Sequence, residues 1–376
     1  MKAYLDNAAT TQVKPEVIET MTEALKNLYG NPSSIHKIGR DAEDALESAR
    51  KDIAETIHAL GEEIVFTSGA SEGNNHIIRS FIKEGAHFIT TCIEHPSVLK
   101  VMEYAKTQGV HVDFLSVNEN GQISLSELEE KLTKNTSLVS VMMVNNETGV
   151  LHNPSEIAKI IRSKSRKAKF HMDAVQGYMK YALDVKKMDV DFMTVSAHKV
   201  HGPKGCGFIY IRKGQRPDSL LLGGEQERGF RAGTVNVPSI LGFREAVKRS
   251  DEELEEGFTH VYALKEKMIS LLEEIDELKV NSPLESTSPY ILSLSIPGMR
   301  GEVLLHYLSD KGVYVSTGSA CTSKDTKDSH VLLSIGLKDK EIQGSIRLSF
   351  QAETTYKEIE YAAEMILDAV KFLRRK

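Results

Sequence analysis

The sequence predicts an α/β fold, with a large, mainly parallel sheet domain and a smaller α+β domain. Helical and strand patterns alternate through the first two-thirds of the chain, the pattern of βαβ units. Leu138–Val144 is almost continuously apolar, as expected of a strand covered on both faces. After Pro238 the alternation gives way to longer helical stretches with few strands between them. At 376 residues the chain is long enough for two domains. The large one is expected over 15–257. The small one is expected from 1–14 with 258–376, carrying a polar loop at about 316–328.

The elements follow in order. Apolar residues at helical spacing predict a long amphipathic helix over Arg40–Leu60. Glu63–Thr67 reads as a short strand, followed by a turn at Ser68-Gly69-Ala70 and a helix from Ser71. Further strands are expected at Ala86–Thr91, Val110–Ser116, Leu138–Val144, Ala168–Met172, Phe192–Ser196 and Gly207–Ile211. Beyond Pro238 a helical stretch is expected to run to about Ile275. Ile291–Ile296, Val313–Ser316 and Ser345–Phe350 read as strands, and Gly301–Lys311 and Thr355–Arg374 as helices. The first dozen residues are expected to pack on this smaller unit.

Composition excludes several classes. With 53 acids against 47 bases the net charge is −6, which disfavours direct nucleic-acid binding. No apolar run approaches the ~18 residues of a membrane span, and Met1–Asp6 has no signal-peptide core. The chain therefore reads as cytoplasmic. Three cysteines lie far apart, with no C-x-x-C pair, and the 13 histidines include no H-E-x-x-H. Neither a disulfide framework nor a metal site is expected. Nucleotide hydrolysis has no support, because no G-x-x-x-x-G-K-[ST] loop occurs.

The chemistry gathers at strand ends. Asp173 follows a strand in His171-Met172-Asp173-Ala174-Val175-Gln176, and Lys199 follows the next in Ser196-Ala197-His198-Lys199. Ligands of open α/β sheets bind at such ends. A lysine that can form a Schiff base, with a carboxylate to hold a pyridinium nitrogen protonated, is what pyridoxal phosphate (PLP) requires. Gln176 is placed to donate to its phenolic oxygen, and Ser196 and His198 to reach its phosphate. Taken singly, Asp173 also reads as a turn cap and Lys199 as a surface lysine. Ala70 and Ser71 open a helix, whose free N–H groups suit phosphate, although an ordinary cap looks the same. His95 can stack on a ring and move protons, or sit in a capped turn. Asn146 ends a strand, and its amide suits a cofactor or carboxylate contact as well as a turn. Arg347, a charge in an apolar strand, needs either a substrate carboxylate or an internal partner. Cys321 lies in a small, polar stretch, Gly318-Ser319-Ala320-Cys321-Thr322-Ser323, and reads equally as an exposed nucleophile or an incidental thiol. Cys92 and Cys206 flank apolar strands and read as structural.

Together these strings resemble the class I, NifS/IscS-type, cysteine desulfurases of the class V aminotransferase family, which are fold-type I PLP-dependent transferases. The resemblance runs from Tyr4-Leu5-Asp6-Asn7-Ala8-Ala9-Thr10-Thr11 through Gly30-Asn31-Pro32-Ser33-Ser34-Ile35-His36 to the Cys321 string. It implies Lys199 as the Schiff-base lysine, Asp173 as the pyridinium partner and His95 as the ring-stacking catalytic histidine. It implies Gln176 at the phenolic oxygen and a phosphate cradle of Ala70, Ser71, Ser196 and His198, with Thr234 supplied by the second subunit of a homodimer. Asn146 and Arg347 correspond to substrate-carboxylate contacts, and Cys321 to the sulfur acceptor. The implied reaction converts L-cysteine to L-alanine and leaves a persulfide on Cys321. That sulfur is destined for an acceptor protein, either an iron–sulfur scaffold or a tRNA-thiolation enzyme. A selenocysteine lyase, another PLP lyase and an aminotransferase are the competing activities; an aminotransferase needs no thiol. Two strings depart from the family pattern. Ala70-Ser71-Glu72-Gly73 stands for Ala-Thr-Glu-Ser, and Ser349-Phe350-Gln351-Ala352 stands for Ser-Leu-Gly-Arg.

Overall fold

The structure is a computed structural model that describes residues 1–317 and 328–374. Its strands are β1 (Ala3–Tyr4), β2 (Ile64–Thr67), β3 (His87–Thr91), β4 (His111–Leu115), β5 (Thr136–Met142), β6 (Lys169–Asp173), β7 (Phe192–Ser196) and β8 (Gly207–Ile211). They continue with β9 (Lys279–Val280), β10 (Ile291–Ser295), β11 (Val313–Tyr314) and β12 (Ser345–Ser349). A seven-stranded sheet has the order β2-β8-β7-β6-β5-β3-β4. Only β8 runs antiparallel to its neighbours in this sheet. β2, β3, β6, β7 and β8 are rich in apolar residues and are buried or nearly so along their length, as helices on both faces require.

Two large cores hold most of the buried apolar residues. One joins the sheet to its helices, around Phe66, Val139, Phe170, Met193 and Phe208. The other gathers Val261, Leu264, Leu292, Leu348 and Ile366 with Ala3 and Leu5 of the amino terminus. There β1 pairs parallel with β11, and β10 lies between β9 and β12 in a separate three-stranded sheet.

Helix boundaries differ from the sequence expectation for local reasons. The helix expected over Arg40–Leu60 is Lys37–Glu55, because His58 adopts a left-handed φ of 57°. The stretch after Pro238 is two helices, Val237–Glu252 and Leu254–Leu272, broken at Glu253. Helix Pro15–Asn27 was not singled out by the sequence pattern. Among the described residues, no helix is long and apolar enough to cross a membrane.

Candidate active site

The parallel strands deliver their carboxyl ends to one edge of the sheet. β6 ends on Asp173 and β7 on Ser196, and a short 3-10 turn, Ala197–Lys199, follows at once. β2 leads through Gly69 into helix Ala70–Ser80, β3 leads to Glu94 and His95, and β5 leads to Asn145 and Asn146.

Asp173 is buried. Its Oδ2 accepts from Asn74 Nδ2 at 2.8 Å, and its Oδ1 accepts from the Val175 N–H at 3.0 Å. The Asn74 amide also donates to Ser97 Oγ at 2.9 Å, and Ser97 Oγ lies 2.8 Å from His95 Nδ1. His95 caps helix Pro96–Thr107, with Nδ1 accepting from the Ser97 N–H at 3.2 Å. A ring nitrogen that accepts carries no proton, so the neutral imidazole carries it on Nε2. Burial holds the His95 pKa below the ordinary histidine value; Asp173 opposes that, while Lys199 and His330 reinforce it. The Asn74–Ser97 link thus ties the orientation of Asp173 to the tautomer of His95.

Lys199 Nζ donates to the carbonyls of Ala8 at 2.6 Å and Ala9 at 2.7 Å. Ala8 O also accepts from Gln176 Nε2 at 2.9 Å, while Gln176 Oε1 accepts from the buried Lys180 Nζ at 3.1 Å. Burial pushes the Lys180 pKa down to about 7, and Lys199 and Arg347 add repulsion.

At the start of helix Ala70–Ser80, Ser196 Oγ accepts the Ala70 N–H at 3.0 Å. Gly69, at φ 140°, turns the chain into the helix. A Cβ on Gly207 would press on the Val195 carbonyl and stand 2.8 Å from Gly69 Cα, so the close approach of β8 to this turn requires glycine. Ser71 is exposed in the first helical turn. His198 Nδ1 hydrogen-bonds with Thr10 Oγ1 at 3.2 Å, and burial, with Lys199 and Lys204, pushes its pKa down to about 4. Thr234 is exposed in the stretch before helix Val237–Glu252, and no hydrogen bond joins it to these groups among the described residues.

Arg347, in β12, is buried. Nη2 pairs with Asp6 Oδ1 at 2.9 Å and Nη1 donates to the Asn146 carbonyl at 2.8 Å. Among the described residues Nε is buried with no partner, which leaves a spare donor on the cation. Of the two readings of Arg347, the internal partner is therefore present, and Asn146 contributes its backbone to it.

Cys321 lies outside the described residues. The residues flanking its segment contact the site. Ser316 and Arg347 exchange backbone hydrogen bonds at 2.7 and 3.0 Å, and Ser329 Oγ donates to Glu147 Oε2 at 2.5 Å. His330 Nε2 bonds to the Glu94 carbonyl at 3.0 Å. Burial raises the pKa of Glu147 to about 7 and that of Glu94 to about 8.

Sequence reasoning missed Asn74, Glu94, Asp6 and the Ala8 and Ala9 carbonyls. Asn74 had one signal, in that it shares the first turns of its helix with Ser71. The Ala8 and Ala9 carbonyls have none, because a backbone acceptor leaves no mark on residue type.

The donor set fits a flat, phosphate-bearing cofactor with an aldehyde and a protonated ring nitrogen. Asp173 is a fixed carboxylate, Lys199 an amine and Ser196 with Ala70 an anion corner. His95 is a neutral ring.

Comparison with known proteins gives four matches. The Aminotransferase class-V family pattern matches residues 3–362. A cysteine desulfurase of a Nostoc species is 42% identical over 375 residues, spanning 99% of this chain and 93% of its own. Among solved structures, a NifS-like protein superposes with a TM-score of 0.93 at 38% identity, over 99% of this chain and 100% of its own. SspA in complex with cysteine gives 0.82 at 31% identity, over 94% of this chain and 100% of its own.

Proposed function

The chain belongs to the aminotransferase class-V family, and from that premise we propose that it is a cysteine desulfurase that takes sulfur from L-cysteine onto Cys321. The observation that carries this reading is the meeting of Asp173, His95 and Lys199 at one sheet edge, with Ser329 and His330 from the Cys321 segment hydrogen-bonded to the same loops. The reaction balances without an external oxidant. L-Cysteine and one thiol give L-alanine and one persulfide, as the Cβ–S bond breaks and an S–S bond forms.

Pyridoxal phosphate, when bound, supplies the aldehyde that captures the substrate amine and the conjugated ring that takes up electrons from Cα. Asp173 would hold its ring nitrogen and Gln176 its phenolic oxygen. Ala70, Ser71, Ser196 and His198 would hold its phosphate, with Thr234 of a second subunit. Lys199 moves the Cα proton, and the two carbonyls that hold its Nζ set the direction of approach. His95 presents a neutral Nε2–H. Arg347 offers its unpartnered Nε to the substrate α-carboxylate, and Asn146 adds its side-chain amide. Cys321 then carries sulfur to an acceptor protein, an iron–sulfur scaffold or a tRNA-thiolation enzyme, in the cytoplasm.

Alanine release from L-cysteine by PLP-loaded protein tests this reading. Wild type should release alanine in proportion to sulfide when reductant is present. Lys199→Ala should lose at least about 10³-fold in rate, in line with the loss of a positioned proton-transfer group. Equal rates in the two proteins, or sulfide without alanine, would contradict it.

A further inference from the structure

The amino-terminal ends of the parallel strands carry a second cluster, at the sheet edge opposite Asp173 and Ser196. β3 and β4 pair with His87 beside His111, and β3 and β5 pair with His87 beside Thr136. Paired residues share a face of a sheet, and so do residues two apart on one strand. Asp113 is two residues beyond His111, so all four stand on one face.

The distances are those of a ligand set. His87 Nε2 hydrogen-bonds with Asp113 Oδ2 at 3.1 Å, a bond that a metal ion would replace, and His111 Nε2 lies 3.6 Å from the same oxygen. One ligand atom from each of the three residues lies within 4.8 Å of the others. Two donors ~2.0–2.2 Å from a tetrahedral metal stand roughly 3.3 Å apart, and the two nitrogen–oxygen separations bracket that value.

The surroundings favour a ligand role. His87 Nδ1 hydrogen-bonds with Thr136 Oγ1 at 2.8 Å, and that oxygen also accepts the Thr133 N–H at 2.9 Å. Such an outer partner fixes the ring and aims Nε2 at the cluster. Lys131 is the nearby cation. It lies 3.8 Å from Asp113 Oδ1 and pairs with Glu127 at 3.1 Å, which leaves Oδ2 to the cluster. His111 is exposed, so the site has an entry path.

We propose that His87, His111 and Asp113 bind a divalent transition-metal ion of the Zn²⁺ class, with water completing the coordination. Two imidazoles and one carboxylate suit Zn²⁺, Co²⁺, Ni²⁺ or Cu²⁺ and not Mg²⁺ or Ca²⁺. The ion joins β4, the last strand of its sheet, to β3. No local spacing announces the site, because strand register and not helical periodicity unites the two histidines.

The test is Co²⁺ titration of metal-stripped, PLP-loaded protein, followed by displacement with Zn²⁺. One Co²⁺ per chain should bind with visible bands of a nitrogen–oxygen site and without the sulfur-to-metal band that a cysteine ligand produces. His111→Ala, at an exposed position, and Asp113→Asn should each weaken Zn²⁺ binding at least tenfold. Thr136→Val should weaken it about tenfold, as loss of an outer partner does. Zn²⁺ should raise the melting temperature of wild type but not of His111→Ala, while alanine release is the same in both. Binding unchanged in His111→Ala, a sulfur-to-metal band, or no saturable binding would each overturn the proposal.

Discussion

Glu94 and Asn74 are the residues whose chemistry depends most on what surrounds them. Glu94 is fully buried. Its Oε1 accepts from Thr91 Oγ1 and the Met142 N–H, and its Oε2 has no partner among the described residues. Burial lifts its pKa from 4.5 to about 8, so the folded protein holds a proton that the unfolded chain has lost. That contribution to stability is complete below about pH 4.5, fades as pH rises and is gone above about pH 8. Glu94→Gln keeps the neutral group and both accepted bonds. Its stability relative to wild type should therefore rise between about pH 5 and about pH 8, read by urea denaturation at each pH. A flat difference would show that Glu94 is ionised. Asn74→Ala removes a charge-assisted bond to Asp173, worth about 1.5–3 kcal/mol. If that bond aligns Asp173 for the reaction, alanine release per folded molecule should fall about 10–150-fold. The cysteines also separate at this scale. Burial pushes the Cys206 thiol up to about 12, so it is inert near neutrality.

The Gly-rich stretch between β8 and helix Val237–Glu252 shows how far elements were legible. Its composition reads as a flexible surface loop, yet Glu227 is buried and clasps Arg50 with two bonds of 2.7 and 2.8 Å. Glu227 Oε2 also accepts the Phe66 N–H at 2.8 Å, so the stretch is tied to β2. Glu227 and Arg228 sit at φ 48° and 56°, a left-handed pair that this clasp stabilises. Glu227→Ala should cost about 3–5 kcal/mol by taking from the buried Arg50 its buried carboxylate partner, leaving only the exposed Glu47 at 2.8 Å from Nε, measured by chemical denaturation; a loss under about 1 kcal/mol would mean that Glu47 and water replace the partner. Residue type could not reveal the clasp, because Arg50 and Glu227 are 177 positions apart. Strands were more legible: β7 and β8 fall where their apolar runs predict, since burial on both faces writes itself into composition. Helix ends were less so, because single left-handed residues such as His58 set them.

Across the whole molecule, the amino terminus links the two cores to the site. β1 pairs with β11 in the second core, Asp6 holds Arg347, and Ala8 and Ala9 hold Lys199. The positions of Asp173 and Lys199 just at or after strand ends were legible because the apolar runs of β6 and β7 mark those ends. This connecting thread was legible only as a matching string. With Thr234 assigned to a partner's site, the proposed working unit is a homodimer. Sedimentation of PLP-loaded protein should give twice the chain mass, and a monomer with full activity would contradict the assignment. Cys321→Ala should keep the cofactor and lose the enzyme persulfide. The most direct measurement is the intact mass of the PLP-loaded protein after a brief pulse of L-cysteine without reductant, with alanine counted in the same sample. The account predicts one added sulfur that maps to Cys321 and an equal amount of alanine. Added sulfur on Cys92 or Cys206, or an intact cofactor signal with neither sulfur nor alanine, would contradict it.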